Sequence, residues 1–343
     1  MLDPTVKPPW KRPPFVRDFT SPLPRLCPGG GRPGYLCRVS DSENESSTAP
    51  SVALPPEFDR YVARVDEDKI PASTSQTYGA AWDDLKRGFG QRELWLTLGW
   101  QDIKQRYRRS VLGPLWITIA TGVMATALGL LYSLLFDIDI RTFLPHVAVG
   151  LILWGFIAGC INEGSQVFIA NEGLIKQLPS ALSVHVYRLV WKQFLFLLHN
   201  LAIWLILLAV FQIPVGWEVI LAVPGLALLV ANGVWVSMFF GIIATRFRDV
   251  APLLESLVQL LFYMTPIVWM DSTLKDRIGD LGNKAYLAEI NPLYHYMAIV
   301  RGPMINEPVE WRSWLIVCVL TVLGTLFAMI FMRQWRSRVS YWV

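Results

Sequence analysis

The sequence predicts an all-α integral membrane protein, and three observations carry that class. Charged residues make up 17% of the 343 positions, where a soluble protein of this length carries about 25%. They gather in clusters between long neutral runs, and the mean hydropathy is +0.38. Five of those runs extend for about 20 to 27 residues without a single Asp, Glu, Lys or Arg. A helix rises about 1.5 Å per residue, so about 20 apolar residues cross a hydrocarbon core about 30 Å thick. Inside lipid every backbone N–H and C=O must be paired within the protein, and a helix pairs them within one segment.

The N-terminal part precedes any such run. Residues 1–38 form a Pro/Gly/Arg-rich tail: thirteen of the 23 prolines fall before Ala72. The tail has no apolar period with which to offset the entropy of ordering. It also lacks the uninterrupted apolar stretch of a signal peptide. Composition then breaks sharply at "SDSENESSTAP", within a polar, cytoplasmic linker expected over 39–84. The break points to Val39 as the true start, read from a GTG codon, with 1–38 translated from upstream sequence. Cys27, Cys37, Cys160 and Cys318 have neither zinc-type nor CxxC spacing, so free thiols are expected.

Leu96, Trp100, Ile103 and Tyr107 recur at helical spacing, with Gln101, Lys104, Gln105 and Arg108 on another face. That pattern predicts an amphipathic helix over 93–109 lying in the plane of the membrane interface. In "RYRRSVLGPLW", Arg106, Arg108 and Arg109 anchor this helix on an anionic leaflet, and Gly113-Pro114 turns the chain into the bilayer. Six transmembrane spans are expected, at about 110–136, 142–169, 188–214, 219–245, 250–270 and 313–333. The fifth has a neutral run of only about 15 residues, between Glu255 and Asp271, so a full crossing draws Glu255 into the interfacial zone. Alternation of the spans collects Lys104, Lys176, Arg188, Lys192, Arg246, Arg248, Arg333, Arg336 and Arg338 on the side of Arg106. Among the short loops opposite, only Arg141 is basic. The positive-inside rule makes the richer side cytoplasmic, and both termini with it.

Several functions are excluded by what is missing. The nearest approach to a nucleotide-binding loop, "GCINEGSQ" over 159–166, has Ser165-Gln166 where Lys and Ser/Thr are required to reach phosphate and magnesium. No HExxH, GxSxG or paired-cysteine motif occurs, so no catalytic and no metal-binding residue is named. His146, His185 and His199 stand alone, and structural roles are expected for them. The spans lack the sets of buried charges that proton-coupled transporters use. Energy for any pumping must therefore enter from outside the chain. Asp137 and Asp139 in "DIDI" are the one tight acid pair on the outer side. They leave a membrane enzyme acting on lipid-linked sugars as a minor alternative, beside a channel or secondary transporter.

The connection "NEGLIKQLPSALSVHVYRLVWKQ" (171–193) has an apolar pattern of its own, broken by Pro179. A short helix there presents Leu174, Ile175 and Leu178 together with Glu172 and Lys176, a mixture suited to docking in a groove of another protein. A plain solvated loop is the competing reading. "TRFRDV" (245–250) is a smaller second contact, although its arginines are accounted for by topology.

"RYRRSVLGPLW", the turn "NEGLIKQLPSALSVHVYRLV" and "NPLYHYMAIVRG" (291–302) together resemble the membrane subunit of ABC-2 type polysaccharide export permeases, which export O-antigen, teichoic acid and capsule. Within that family the galactan export permeases of actinobacteria are nearest in kind. The likeness covers about 85–343, including the basic aromatic ending "RQWRSRVSYWV". It implies a homodimer of six-helix subunits in a bacterial plasma membrane, paired with two copies of a separate ABC ATPase subunit. That ATPase holds the ATP and magnesium, so no cofactor is expected in this chain. The other partners implied are membrane lipids and a lipid-linked polysaccharide; nucleic acid is not among them.

The resemblance also distributes roles. The interface helix matches 93–109, and the coupling helix matches 171–183, with Glu172, Leu174, Ile175, Lys176, Leu178 and Pro179 as ATPase-coupling residues. Short re-entrant outer gate helices match 285–306, with Asn291, Pro292, Tyr294, His295 and Arg301 as gate residues, the last two facing the diphosphate or sugar. A polyprenyl-diphosphate-linked glycan presents apolar C–H faces, which an aromatic passage touches without gripping. Trp154, Phe156, Trp204, Trp235, Phe262, Tyr263 and Trp269 are the candidates for that lining. Packing between helices and marking of the interfaces is the commoner use of such residues. A drug or lipid is the rival cargo.

Overall fold

The computed structural model of the chain describes residues 77–177, 180–214, 216–270 and 289–343. The tail and most of the linker lie outside the described residues. Among the described residues, ten α-helices follow one another with two short 3-10 segments and no strand. The first, α1 (Tyr78–Gly90), starts inside the stretch expected to be linker to residue 84. Next comes α2 (Arg92–Arg106), shorter at both ends than the expected 93–109. Residues 107–109 form a turn; Gly113 then takes φ +57 and donates its N–H to Ser110 Oγ at 3.2 Å. Pro114 follows with φ −62, preset for the helix it precedes.

Among the described residues, five helices are long and apolar enough to cross a membrane. They are α3 (Leu115–Phe136), α4 (Ile140–Ser165), α6 (Ser183–Phe211), α7 (Ala222–Arg246, entered through a 3-10 turn from Trp217) and α10 (Trp311–Trp342). Between α4 and α6 lie a 3-10 turn (Ile169–Asn171) and the six-residue α5 (Glu172–Gln177). Asp137 and Asp139 have structural work. Asp137 closes α3 in the left-handed conformation (φ 56, ψ 46), and the Asp139 side chain accepts from Arg141 N at the start of α4. Caps of this kind satisfy N–H groups that a helix end leaves without partners.

The axis of the bundle is α4. Of its apolar window 72% is buried inside the chain, against 17% for α3 and for α10, so protein surrounds α4 and the others turn an apolar face outward. Lipid offers those faces the same environment that protein does, so helices in a membrane associate through close packing and polar contacts instead. At Gly164 a Cβ would come 2.8 Å from Ser237 Oγ, which lets α4 and α7 nearly touch; Ser237 Oγ donates to Cys160 O at 2.8 Å across the same contact.

The fifth expected span is helical over only part of its length. Within 250–270, α8 (Val250–Met264) has 15 residues, a length of about 22 Å, and leads from the end of the bundle that holds Arg246 to the other. Pro266 disfavours helical geometry at the residue before it, and Thr265 is extended (φ −93, ψ 138). Ile267, Val268 and Met270 then turn inward and are buried. Of the expected gate region, 285–288 lie outside the described residues. Its remainder forms α9 (Pro292–Ile305), with Asn291 accepting from Leu293 N at 3.0 Å and Pro292 in the first turn.

Candidate functional site

One end of the bundle collects the ends of α2, α4, α6 and α10 around α5, and the sequence-named coupling residues sit there. Leu174 and Ile175 are half-buried, and Ile175 packs against the apolar core. Lys176 Nζ donates to Glu172 Oε1 at 2.7 Å and to Val343 O at 3.0 Å, tying the short helix to the end of α10. That bond and the Lys176 charge hold the Glu172 carboxyl below its ordinary pKa. Leu178 and Pro179 lie outside the described residues.

Both flanks of α5 are fixed by polar side chains. Before it, Asn171 Nδ2 donates to Val167 O at 2.7 Å, and its Oδ1 accepts from Arg188 Nη1 at 3.0 Å. The same guanidinium makes a two-pronged pair with Asp102 of α2, Nε to Oδ2 at 2.7 Å and Nη2 to Oδ1. Beside it, Glu163 at the end of α4 accepts from Arg106 at 3.3 Å and from Lys192 of α6. After α5, buried Asp84 of α1 accepts from Leu182 N at 3.3 Å and Ser183 N at 3.1 Å, capping α6 from another helix. Sequence reasoning had assigned Arg188 and Lys192 to topology and had not named Asp84, Asp102 or Glu163.

The interface-helix residues differ in burial within the chain. Ile103 is buried, Leu96 and Tyr107 are half-buried, and Trp100 is exposed beneath Lys104 (Nζ to ring centroid 5.8 Å). The side of α2 that packs on α6 runs through Trp95, Gly99 and Asp102. Trp95 meets the Tyr187 and Trp191 rings at centroid distances of 6.0 and 6.2 Å. Partial burial raises the Tyr107 pKa despite neighbouring Arg106. Arg106 also lies 5.6 Å over the Phe196 ring, while Arg108 and Arg109 are exposed.

The seven aromatics named for a passage divide into groups. Trp154 and Phe262 meet at 5.6 Å, Phe262 and Tyr263 at 5.4 Å, and Trp269 Nε1 donates to Tyr263 O at 3.3 Å. These four form one cluster where α8 crosses α4, with Tyr263 exposed at its rim. The other three lie apart from it. Trp204 donates to Met304 O at 3.0 Å, Trp235 donates to Asn232 Oδ1 at 2.6 Å, and Phe156 is buried beside Gly233.

At the opposite end, the gate residues hold α9 against the turn that ends α8. Asn291 Nδ2 donates to Thr265 Oγ1 at 2.9 Å, and buried Arg301 donates to Pro266 O at 2.6 Å. His295 is buried, with one ring nitrogen 3.0 Å from Ser313 Oγ and the other 2.9 Å from Glu289 O, so its polar atoms are already engaged inside the protein. Tyr294 stands edge-on to His295 and borders a cavity of about 370 Å³ shared with His146, Arg301 and Glu307.

Comparison with known proteins gives this architecture a family. Residues 93–305, more than half of the chain, match the model of the ABC-2 type transporter. An O-antigen export system permease protein of Klebsiella pneumoniae is 24% identical over 229 residues, 65% of this chain and 86% of that protein. One of Myxococcus xanthus is 25% identical over 211 residues, 60% of this chain and 78% of that protein. The chain belongs to the ABC-2 type transporter family.

Proposed function

We propose that this ABC-2 family member is the permease of an ATP-driven exporter. Its cargo is a polyprenyl-diphosphate-linked polysaccharide, moved from the cytoplasmic to the outer side of a bacterial plasma membrane. Two copies of the chain pair with two copies of a separate ATPase subunit, which binds and hydrolyses the nucleotide. The observation that carries the polysaccharide is the relatives' shared role in O-antigen export, matched over most of their length. A galactan is the narrowest cargo the sequence motifs favour. The basic end of the bundle faces the cytoplasm in this reading, as the positive-inside rule requires.

The geometry supports a division of labour. α5 offers Leu174 to a partner while its flanks are fastened to α2, α6 and α10, so force applied there is delivered to transmembrane helices. The cluster of Trp154, Phe262, Tyr263 and Trp269 offers ring faces for glycan to slide past. α9 forms the outer gate, and Asn291 and Arg301 hold it to the turn that ends α8.

Replacing Leu174 and Leu178 by Asp is expected to uncouple ATP turnover from export while the dimer stays intact. Unchanged glycan export by that double variant removes the coupling assignment. Purification of the native complex tests the class itself, because an exporter brings down an ATPase and a membrane enzyme or channel does not.

A further inference from the structure

We infer that Asp84 is a positioning residue for coupling. Through it, α1 and the end of α10 clamp the exit of the coupling segment, so a push on α5 moves α6 and α10 together. The inference rests on the proposed function, yet it concerns two helices, α1 and α10, outside the residues that match the family model. α1 ends before residue 93, and α10 begins after residue 305.

The clamp is built from a buried charge with named partners. The Asp84 side chain takes both first N–H groups of α6, from Leu182 and Ser183, and its backbone carbonyl accepts from Ser183 Oγ at 2.8 Å. A carboxylate at a helix N-terminus meets the positive end of the helix dipole, which adds to these bonds. Arg336 of α10 closes the group from the other side. Its Nη1 donates to Ala80 O at 2.8 Å and lies 3.4 Å from Asp84 Oδ2. Arg333, one turn earlier, sits 4.3 Å over the Tyr78 ring.

The approach of α1 depends on Gly88, where a Cβ would fall 2.1 Å from Ser183 Oγ. Lys176 to Val343 O supplies a second link between α5 and α10. Three helices and the coupling segment thus meet at one carboxylate. An aspartate serving α1 alone would have no need to reach the backbone of residues 98 and 99 positions away.

The test uses the whole complex, with its ATPase, in membranes. Asp84→Asn keeps the shape but leaves one oxygen for two N–H donors. It is expected to keep complex abundance and to hold ATP turnover within about twofold, while glycan exported per ATP falls at least about fivefold. Gly88→Ala leaves every hydrogen-bonding group in place and wedges α1 off α6; the same loss of coupling is expected. Asp83→Asn, exposed on the same helix, is expected to export normally. Should Asp84→Asn fail to accumulate, Gly88→Ala decides alone. Export per ATP unchanged in the accumulating variant overturns the inference. So does a parallel loss of ATP turnover and export, which marks a merely structural role. Failure of the parent reading looks different, because no ATPase then co-purifies with the unaltered chain.

Discussion

Asn232 sits in the apolar interior of the bundle and holds three helices at once, which makes the cost of losing it calculable. Its Nδ2 donates to Thr321 Oγ1 of α10 at 2.6 Å and to Leu228 O at 2.8 Å. Its Oδ1 accepts from Tyr296 of α9 at 2.7 Å and from the Trp235 indole at 2.6 Å. Asn232→Leu strips the acceptor from two donors; Thr321 keeps a partner in Val317 O at 2.7 Å. Hydrogen bonds between membrane helices average about 0.6 kcal/mol and reach about 1.7 kcal/mol. A buried donor left unsatisfied costs about 1–3 kcal/mol. The expected loss is therefore about 2–4 kcal/mol, the lower half favoured because the amide no longer needs desolvation. Steric cost is small, since Asn232 borders an apolar cavity of about 170 Å³ into which leucine can extend. Tyr296→Phe alone is expected to lose about 1 kcal/mol, and less in the Asn232→Leu background, where its amide acceptor is already gone. Unfolding by SDS in mixed micelles measures all four species. A loss under about 0.5 kcal/mol for Asn232→Leu, or plain additivity of the two substitutions, refutes the hub.

Two further outcomes follow from the basic end and from the topology. Arg188→Gln removes the fork that joins Asp102 to Asn171; a loss of about 1–3 kcal/mol is expected for a pair this far from solvent, with Arg188→Lys recovering only part because an ammonium lacks the fork. Thermal unfolding of the purified chain measures both variants. Arg141→Cys is expected to react with a membrane-impermeant maleimide in intact cells and Lys104→Cys only after permeabilisation; the reverse pattern inverts the orientation.

What the sequence discloses and what it hides divide by range. Five charge-free runs correspond to five long helices, because the cost of bare backbone in lipid acts locally and leaves its mark in every such segment. The turn at Gly113-Pro114 was legible for the same reason: φ and a missing N–H belong to two or three adjacent residues. Within the span placed at 250–270, the end of the helix follows a local signal as well, since Pro266 disfavours helical geometry at Thr265. α1 was hidden differently. Its packed side runs through Ala81, Asp84 and Gly88, and no hydropathy scale reads an aspartate and a glycine as core. The pairs Arg188–Asp102 and Asp84–Ser183 span 86 and 99 positions, so only tertiary structure could join them. Arg188 had a sufficient reason to exist in the positive-inside rule, which concealed its second role.

The aromatic residues show how a polar atom separates packing from function. Seven were eligible on composition, yet an indole N–H in lipid must be spent somewhere, and where it is spent limits what the ring can do. Trp204 spends it on Met304 O, across from α6 to α9, and thereby works as a strut. Trp204→Phe is expected to cost about 0.5–2 kcal/mol of stability and to leave export by the surviving protein unchanged. Tyr263 lies 63% exposed at the rim of the α8 cluster, with its ring against Phe262. Tyr263→Ala is expected to change stability by less than about 1 kcal/mol while lowering export, because truncation there removes a face that no neighbouring helix covers. Opposite signatures, stability without transport for one and transport without stability for the other, are the result that assigns the passage to the α8 edge. If the two variants instead lose export in equal measure, the division by hydrogen bond is wrong and position relative to a second subunit must decide which rings the glycan meets.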